Sequence, residues 1–423
     1  MTTDQPIHDF LVELITLGVV AYLLILVVRW LLRSRPDLSI GTPIAVAFLT
    51  RIFAAAGVAQ LSFAQTLRGG DELTFLGSAH QTIGTPFGSS LWIHQLTHHL
   101  FVFVFAGQLS LFDSPDLALR TTQAGIAVAG LALLAVAVYE LAGARAALVA
   151  AWLLALEPTN VFFSTLLHKE PNMMLAGGLV AYGGARMWRR SELRSLVPIV
   201  LGCLIAVATR PYAGWFLIAA AAAITLHAGI RARRQMSARA LVLVATVVLF
   251  AAITAPTVWQ VSTPQSLQTL QGSQNANASN QDVNLSLEQV NFSTRGAIIT
   301  NLPTRIRDVL LKPYPWQLDN ASQQFGLLGT LVAYSLIGFL IWAFIRNRGR
   351  IMELAGPLIY LGFFLLIAYS LSAGNAGTAF RYRTHLVAVA ICIGTALALA
   401  RSRSTVDEKP ELSTPAGEPL PAR

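Results

Sequence analysis

Long apolar runs separated by short basic clusters organise this chain. A run of about 20 apolar residues is the length that carries an α-helix across a bilayer core. Such runs recur at roughly 10–30, 40–63, 118–141, 144–163, 172–188, 195–210, 212–229, 239–257, 326–345, 352–372 and 384–400, so the pattern predicts eleven spans. The runs 195–210 and 212–229 are near the lower length limit and flank Arg210 and Pro211. That hairpin is expected to be short or to sit partly inside the bundle. The stretch 98–112 is apolar but too short, and it reads as an interfacial or re-entrant helix.

The arginines set the direction. Alternate connections hold Arg29, Arg33 and Arg35; Arg145; Arg186, Arg189, Arg190 and Arg194; Arg231, Arg233, Arg234 and Arg239; Arg346, Arg348 and Arg350; then Arg401 and Arg403. Basic residues favour the cytoplasmic side of a membrane, so the N-terminus is expected outside and the C-terminus inside. The predicted architecture is an all-α polytopic membrane protein. An extra anchor occupies 1–39, a transmembrane core 40–257 with an external loop 64–117, a long external loop 258–325, C-terminal helices 326–402 and a disordered cytoplasmic tail 403–423. Crossing at 98–112 would move every later arginine cluster outside, which is why that stretch is not counted as a span.

Composition agrees. The chain is 54% hydrophobic and 12% charged, with 423 residues, where soluble domains carry about a quarter of their residues charged. The net charge of +9 comes from clusters at helix ends and not from a basic stripe with interleaved aromatics, so nucleic acid is not the expected partner. Cys203 and Cys392 both lie in apolar runs and build neither a disulfide framework nor a zinc site. The start MTTDQPIHDF lacks the basic residues of a cleavable signal, so the first run is read as an anchor.

Ionisable groups at or near membrane depth are costly and need a reason. On the external side the acids near a span are Asp71, Glu72, Glu157 and Glu170, and the basics are Arg68, Lys169, Arg210, Arg381 and Arg383. The segment LRGGDELTFLGSAHQT puts Asp71 and Glu72 in the first turn of a helix, after two glycines, and His80 toward its end. Acids favour a helix start, so an ordinary cap explains them as well as a site does. His168, Lys169 and Glu170 share one short connection, and Glu157 precedes Pro158 inside a span. Arg210 stands beside Tyr212, and Arg381 and Arg383 flank a tyrosine. Arginine grips phosphate through paired hydrogen bonds, while snorkelling at the interface is the plain alternative. His94, His98 and His99 could gather imidazoles, yet no carboxylate stands at ligand spacing in their segment. A divalent metal there stays an option and no cofactor is otherwise called for. No nucleotide loop, dinucleotide fingerprint or nucleophile elbow occurs.

Taken together, Asp71, Glu72, Phe75 and Ala79 after an in-to-out span, an Arg-led span pair ending at Glu157 and Pro158, the HKEP turn and the late GNAGTAFRYR edge resemble the membrane-embedded C-type glycosyltransferase superfamily. Its members include protein O-mannosyltransferases and bacterial aminoarabinose transferases. The resemblance spans about residues 40–400 by pattern, not identity. It departs where Phe75 stands for the usual tyrosine, in the extra first span and in the absence of a soluble C-terminal domain. The resemblance implies a polyprenyl-phosphate-linked sugar as donor, a glycan, lipid or protein of the envelope as acceptor, and a bacterial plasma membrane location. It implies Asp71 as the catalytic base with Glu72 as its substitute. Lys169, Arg210, Arg381 and Arg383 would bind the phosphate, Glu170 would orient Lys169 or hold a sugar hydroxyl, and Tyr212 and His80 would help to bind substrate. The rivals are an O-antigen-type polysaccharide polymerase or ligase, which would take a pyrophosphate donor, and a transporter or flippase, for which Arg51 and Glu157 are usable in-membrane charges.

Overall fold

The computed structural model describes residues 5–60, 69–231, 291–317 and 321–400, with a few positions between 267 and 287. The described residues form helices and no strand. The expected span 239–257, Arg68, most of the long loop and the tail 403–423 lie outside them.

The helices run α1 Gln5–Leu32, α2 Gly41–Gln60, α3 Gly69–Ile83, α4 Ser90–His98, α5 Leu100–Phe112, α6 Asp116–Ala142, α7 Ala144–Leu156, α8 Pro158–Phe163, α9 Glu170–Arg190, α10 Leu196–Thr209, α11 Pro211–Arg231, α12 Arg295–Leu311, α13 Ala321–Arg346, α14 Ile351–Ser372 and α15 Ala376–Leu399. Seven of them are long and apolar enough to cross a membrane: α1, α2, α6, α11, α13, α14 and α15. The protein is therefore an all-helical membrane protein. The apolar α5, α7 and α10 are shorter than a full crossing, as the charge pattern required of 98–112. Helix α9 is long enough, but it carries Glu170, Arg186, Arg189 and Arg190 and is held by its neighbours instead of by its own hydropathy.

Helix α6 is the hub, packed against α1, α2, α7 and α9. Small residues let it approach α9 closely, because a Cβ on Gly178 would meet the Gly130 carbonyl at 2.4 Å. Such contact stabilises helix pairs in lipid, where apolar burial offers little difference from the solvent. Helix α1 leaves Phe10, Leu14, Tyr22 and Trp30 exposed, as a lipid-facing helix would.

The single span expected over 144–163 is two helices. Glu157 caps α8, its carboxylate accepting from the Thr159 and Asn160 amides at 3.1 and 2.6 Å, with Pro158 in the first turn. Proline is tolerated there because its missing N–H would be unbonded anyway. The carbonyls freed at the end of α7 are met by Arg51 of α2, which reaches Leu154 and Ala155 at 3.5 and 3.3 Å, and Asn160 Oδ1 at 2.6 Å. Glu157 and Arg51 are thus the ends of a structural joint.

The two ends of the bundle carry different ion pairs. At the arginine-rich end Arg35 and Arg190 meet Glu140 at 2.5 and 3.0 Å, and Arg186 and Arg194 meet Glu192. The opposite end carries α3, α4 and α5 and the acids singled out above.

Candidate functional site

Helix α3 begins at two glycines and carries both acids in its first turn. Phe75, Leu76, Ala79 and Ile83 form its apolar stripe and pack on Phe101, Phe105 and Trp92. Successive helical residues point about 100° apart, so Asp71 and Glu72 face different neighbours. Glu72 is 1% exposed and pairs with the fully buried Arg120 of α6. Arg120 also donates to Asp116 at 2.9 Å and to the Thr165 carbonyl at 3.0 Å. The substitute base expected at Glu72 is therefore an anchor. It ties α3 to α6 and to the connection before α9, and a carboxylate so enclosed cannot meet an incoming hydroxyl.

Asp71, on the other side, is exposed and accepts from Arg381 of α15 at 2.9 Å. The second guanidinium nitrogen of Arg381 lies 3.5 Å from His168 Nδ1. Glu170, in the first turn of α9, accepts from Arg210 at 3.0 Å, and both are buried. His385, one turn beyond Arg381, donates from Nε2 to the Glu170 carbonyl (3.1 Å), and its Nδ1 meets the Tyr369 hydroxyl (3.2 Å). Tyr382 covers Arg210, its ring centre 4.5 Å from the guanidinium, and its hydroxyl meets that of Tyr212 at 2.5 Å. Asp71, His168, Lys169, Glu170, Arg210, Tyr212 and Arg381 thus come together from four segments that are far apart in sequence.

Lys169 differs from the other cations. Its ammonium sits 5.4 and 5.6 Å from the ring centres of Phe75 and Phe101. Among the described residues it has no hydrogen bond or ion pair. Burial pulls it down to about 8, and Arg210 adds to the fall while Glu170 and Asp71 oppose it. Burial also pulls His168 down to about 4, helped by Arg381, so this imidazole is neutral and can accept from Arg381. Burial pushes Asp71 up, but Arg381 more than offsets this and holds its carboxyl below the ordinary carboxylate range. Arg210 Nη1 and Glu170 Oε2 are buried with no hydrogen-bond partner among the described residues. Buried polar atoms are nearly always paired, so these two mark a place where something else is expected to bind. Glu170 also borders a cavity of about 10 Å³ lined by Asn160, Ser164, Thr384 and His385.

Two expected ligand residues lie apart from this cluster. Arg383 donates to the Leu310 and Lys312 carbonyls at 3.0 and 3.1 Å and to Thr330 at 3.0 Å. It closes the C-terminus of α12 and cannot hold a phosphate at Arg381. The reason is spacing: residues two apart on a helix do not share a face. His80 is exposed in the last turn of α3. His94 and His98 stack with ring centres 4.8 Å apart, but no group of three metal-capable side chains exists among the described residues. Sequence reasoning missed Arg120, Tyr369, Tyr382 and His385. The signal for His385 was its spacing of four from Arg381.

Compared with family models, with curated proteins and with solved structures, the chain matches none. Fold and site together define a membrane-embedded, all-helical protein with a mixed ion cluster at the end of the bundle opposite its arginine-rich turns.

Proposed function

We propose that this protein is a membrane glycosyltransferase that moves a sugar from a polyprenyl-phosphate donor to an envelope acceptor on the outer face of a bacterial plasma membrane. The proposed topology keeps eleven spans, with the N-terminus outside and the cluster on the external side. One observation carries the reading: a carboxylate, Asp71, is held against Arg381 near Lys169, a cation with no direct ion pair among the described residues.

In this scheme Lys169 and Arg381 hold the donor phosphate. The acceptor hydroxyl attacks the anomeric carbon, the bond from that carbon to the phosphate oxygen breaks, and the phosphate leaves with the bonding pair. The hydroxyl proton goes to Asp71. Cations positioned where negative charge grows stabilise that step. Paired to Arg381, Asp71 is a weak base. A phosphate competing for Arg381 loosens that pair and raises the basicity of Asp71, so donor binding prepares the base for the acceptor.

A carrier reading would use the broken helix at Glu157 and Pro158. The charges at that break are bonded within the protein, whereas in the Asp71 cluster Glu170 Oε2 and Arg210 Nη1 lack partners among the described residues, which favours the transferase. Purified protein in lipid nanodiscs, given a panel of labelled polyprenyl monophosphate and pyrophosphate sugars with hydroxyl acceptors, tests the reading. Transfer from a monophosphate is expected, and Asp71→Asn should lower it by a factor of about 100 to 10,000 with insertion intact. Wild-type turnover by Asp71→Asn would remove Asp71 from the role, and transfer from pyrophosphate donors alone would favour the polymerase class.

A further inference from the structure

We propose that the Glu170–Arg210 pair reads a hydroxyl of the transferred sugar, leaving phosphate recognition to Lys169 and Arg381. This rests on the transferase reading and assigns the two halves of the donor to two parts of the cluster.

The pair is joined through Arg210 Nη2 and Glu170 Oε1 at 3.0 Å. What remains is one donor, Nη1, beside one acceptor, Oε2, both buried and without a partner among the described residues. A hydroxyl donates one hydrogen bond and accepts another, so it satisfies both atoms. A phosphodiester oxygen only accepts. At Arg210 Nη1 it would leave the Glu170 Oε2 acceptor unsatisfied and facing another acceptor. Lys169 has no hydrogen bond or ion pair among the described residues.

Rigidity fits as well. The Glu170 backbone is fixed by His385, itself held by Tyr369, and Arg210 lies under the Tyr382 ring. A recognition group whose supports are locked discriminates better than a mobile one. A site built to hydrogen-bond a hydroxyl rejects analogues lacking it, because its own buried groups are then left unpaired.

The test compares binding to wild type and Arg210→Lys in nanodiscs. Arg210→Lys keeps the charge but replaces the rigid two-nitrogen fork with a single ammonium nitrogen, so the separately aimed Nη1 donor is lost. One arm uses bare farnesyl phosphate against farnesyl phosphates carrying glucose, mannose, galactose or arabinose. A neutral arm uses the octyl glycosides of the same sugars. Wild type should prefer one sugar over the bare lipid phosphate, and Arg210→Lys should cut that preference about tenfold or more while bare farnesyl phosphate stays within about twofold. Glu170→Gln should cut the same preference. Equal loss for bare and glycosylated phosphates in Arg210→Lys would overturn the proposal. If wild type binds no farnesyl phosphate of any kind, the transferase reading fails and the octyl glycosides decide. Discrimination among them that Arg210→Lys removes upholds the hydroxyl site, and indifference in both proteins overturns it, leaving a bound water as the occupant.

Discussion

Two glutamates in this chain stand immediately before a proline at the start of a helix, and each has a buried arginine nearby. Around Glu157 every polar atom has a partner. Its oxygens take the Thr159 and Asn160 amides and the Thr159 hydroxyl, and Arg51 is bonded to Ala47, Ala155, Asn160 and Ser164. Among the described residues, one oxygen of Glu170 and one nitrogen of Arg210 have no partner, and Lys169 next to them has no ion pair. The same dipeptide builds a joint in one place and an incompletely bonded cluster in the other. Hydrogen-bond completeness, more than the presence of charge, separates the two, because a satisfied buried pair has no capacity left for a ligand.

The comparison is broken most severely at the joint. Arg51→Ala should destabilise the protein by roughly 3–5 kcal/mol, the range for removing one member of a buried charged network, read as a fall in melting temperature and folded yield. Stability close to wild type would make the joint dispensable. Glu157→Ala should cost about 0.5–2 kcal/mol as a lost helix cap, in the same melting assay. The smallest effect belongs to His80→Ala, exposed on the last turn of α3, which should change stability by less than about 0.5 kcal/mol and leave transfer unchanged. Reduced transfer would return His80 to the site.

Much of the fold was legible because hydropathy and arginine placement are strong signals in a membrane chain. The long apolar runs at α1, α2, α6, α11, α13, α14 and α15 became helices long enough to cross. The joint at Glu157 was less legible. Pro158 after an acid is a helix-start signal, but the continuous hydropathy of 144–163 hid it. At the site, Asp71 and Glu72 look equivalent as neighbours in a string. Only the helical rotation of about 100° per residue sends one to Arg381 and the other to Arg120. The same geometry divides Arg381 from Arg383, and it was readable from their spacing. Arg120 as the partner of Glu72, and Tyr382 as the cover of Arg210, depend on packing between helices distant in sequence, for which one sequence carries no local signal.

Lys169, with no hydrogen bond or ion pair among the described residues, is the cation that an anion is expected to complete. Its ammonium is charged below about 8 and neutral above, where an ordinary lysine would stay charged to about 10.4. Anion binding favours the charged form, so affinity is lost as pH rises and binding takes up protons near that value. The most direct measurement is the affinity of farnesyl phosphate for wild type and Lys169→Gln in nanodiscs between about pH 7.5 and 9.5, where a phosphate monoester is already dianionic. The account predicts wild-type affinity falling toward tenfold per pH unit above about 8, with the variant weaker and flat. Wild-type affinity that does not change across that range, or a variant that binds as well as wild type, would contradict it.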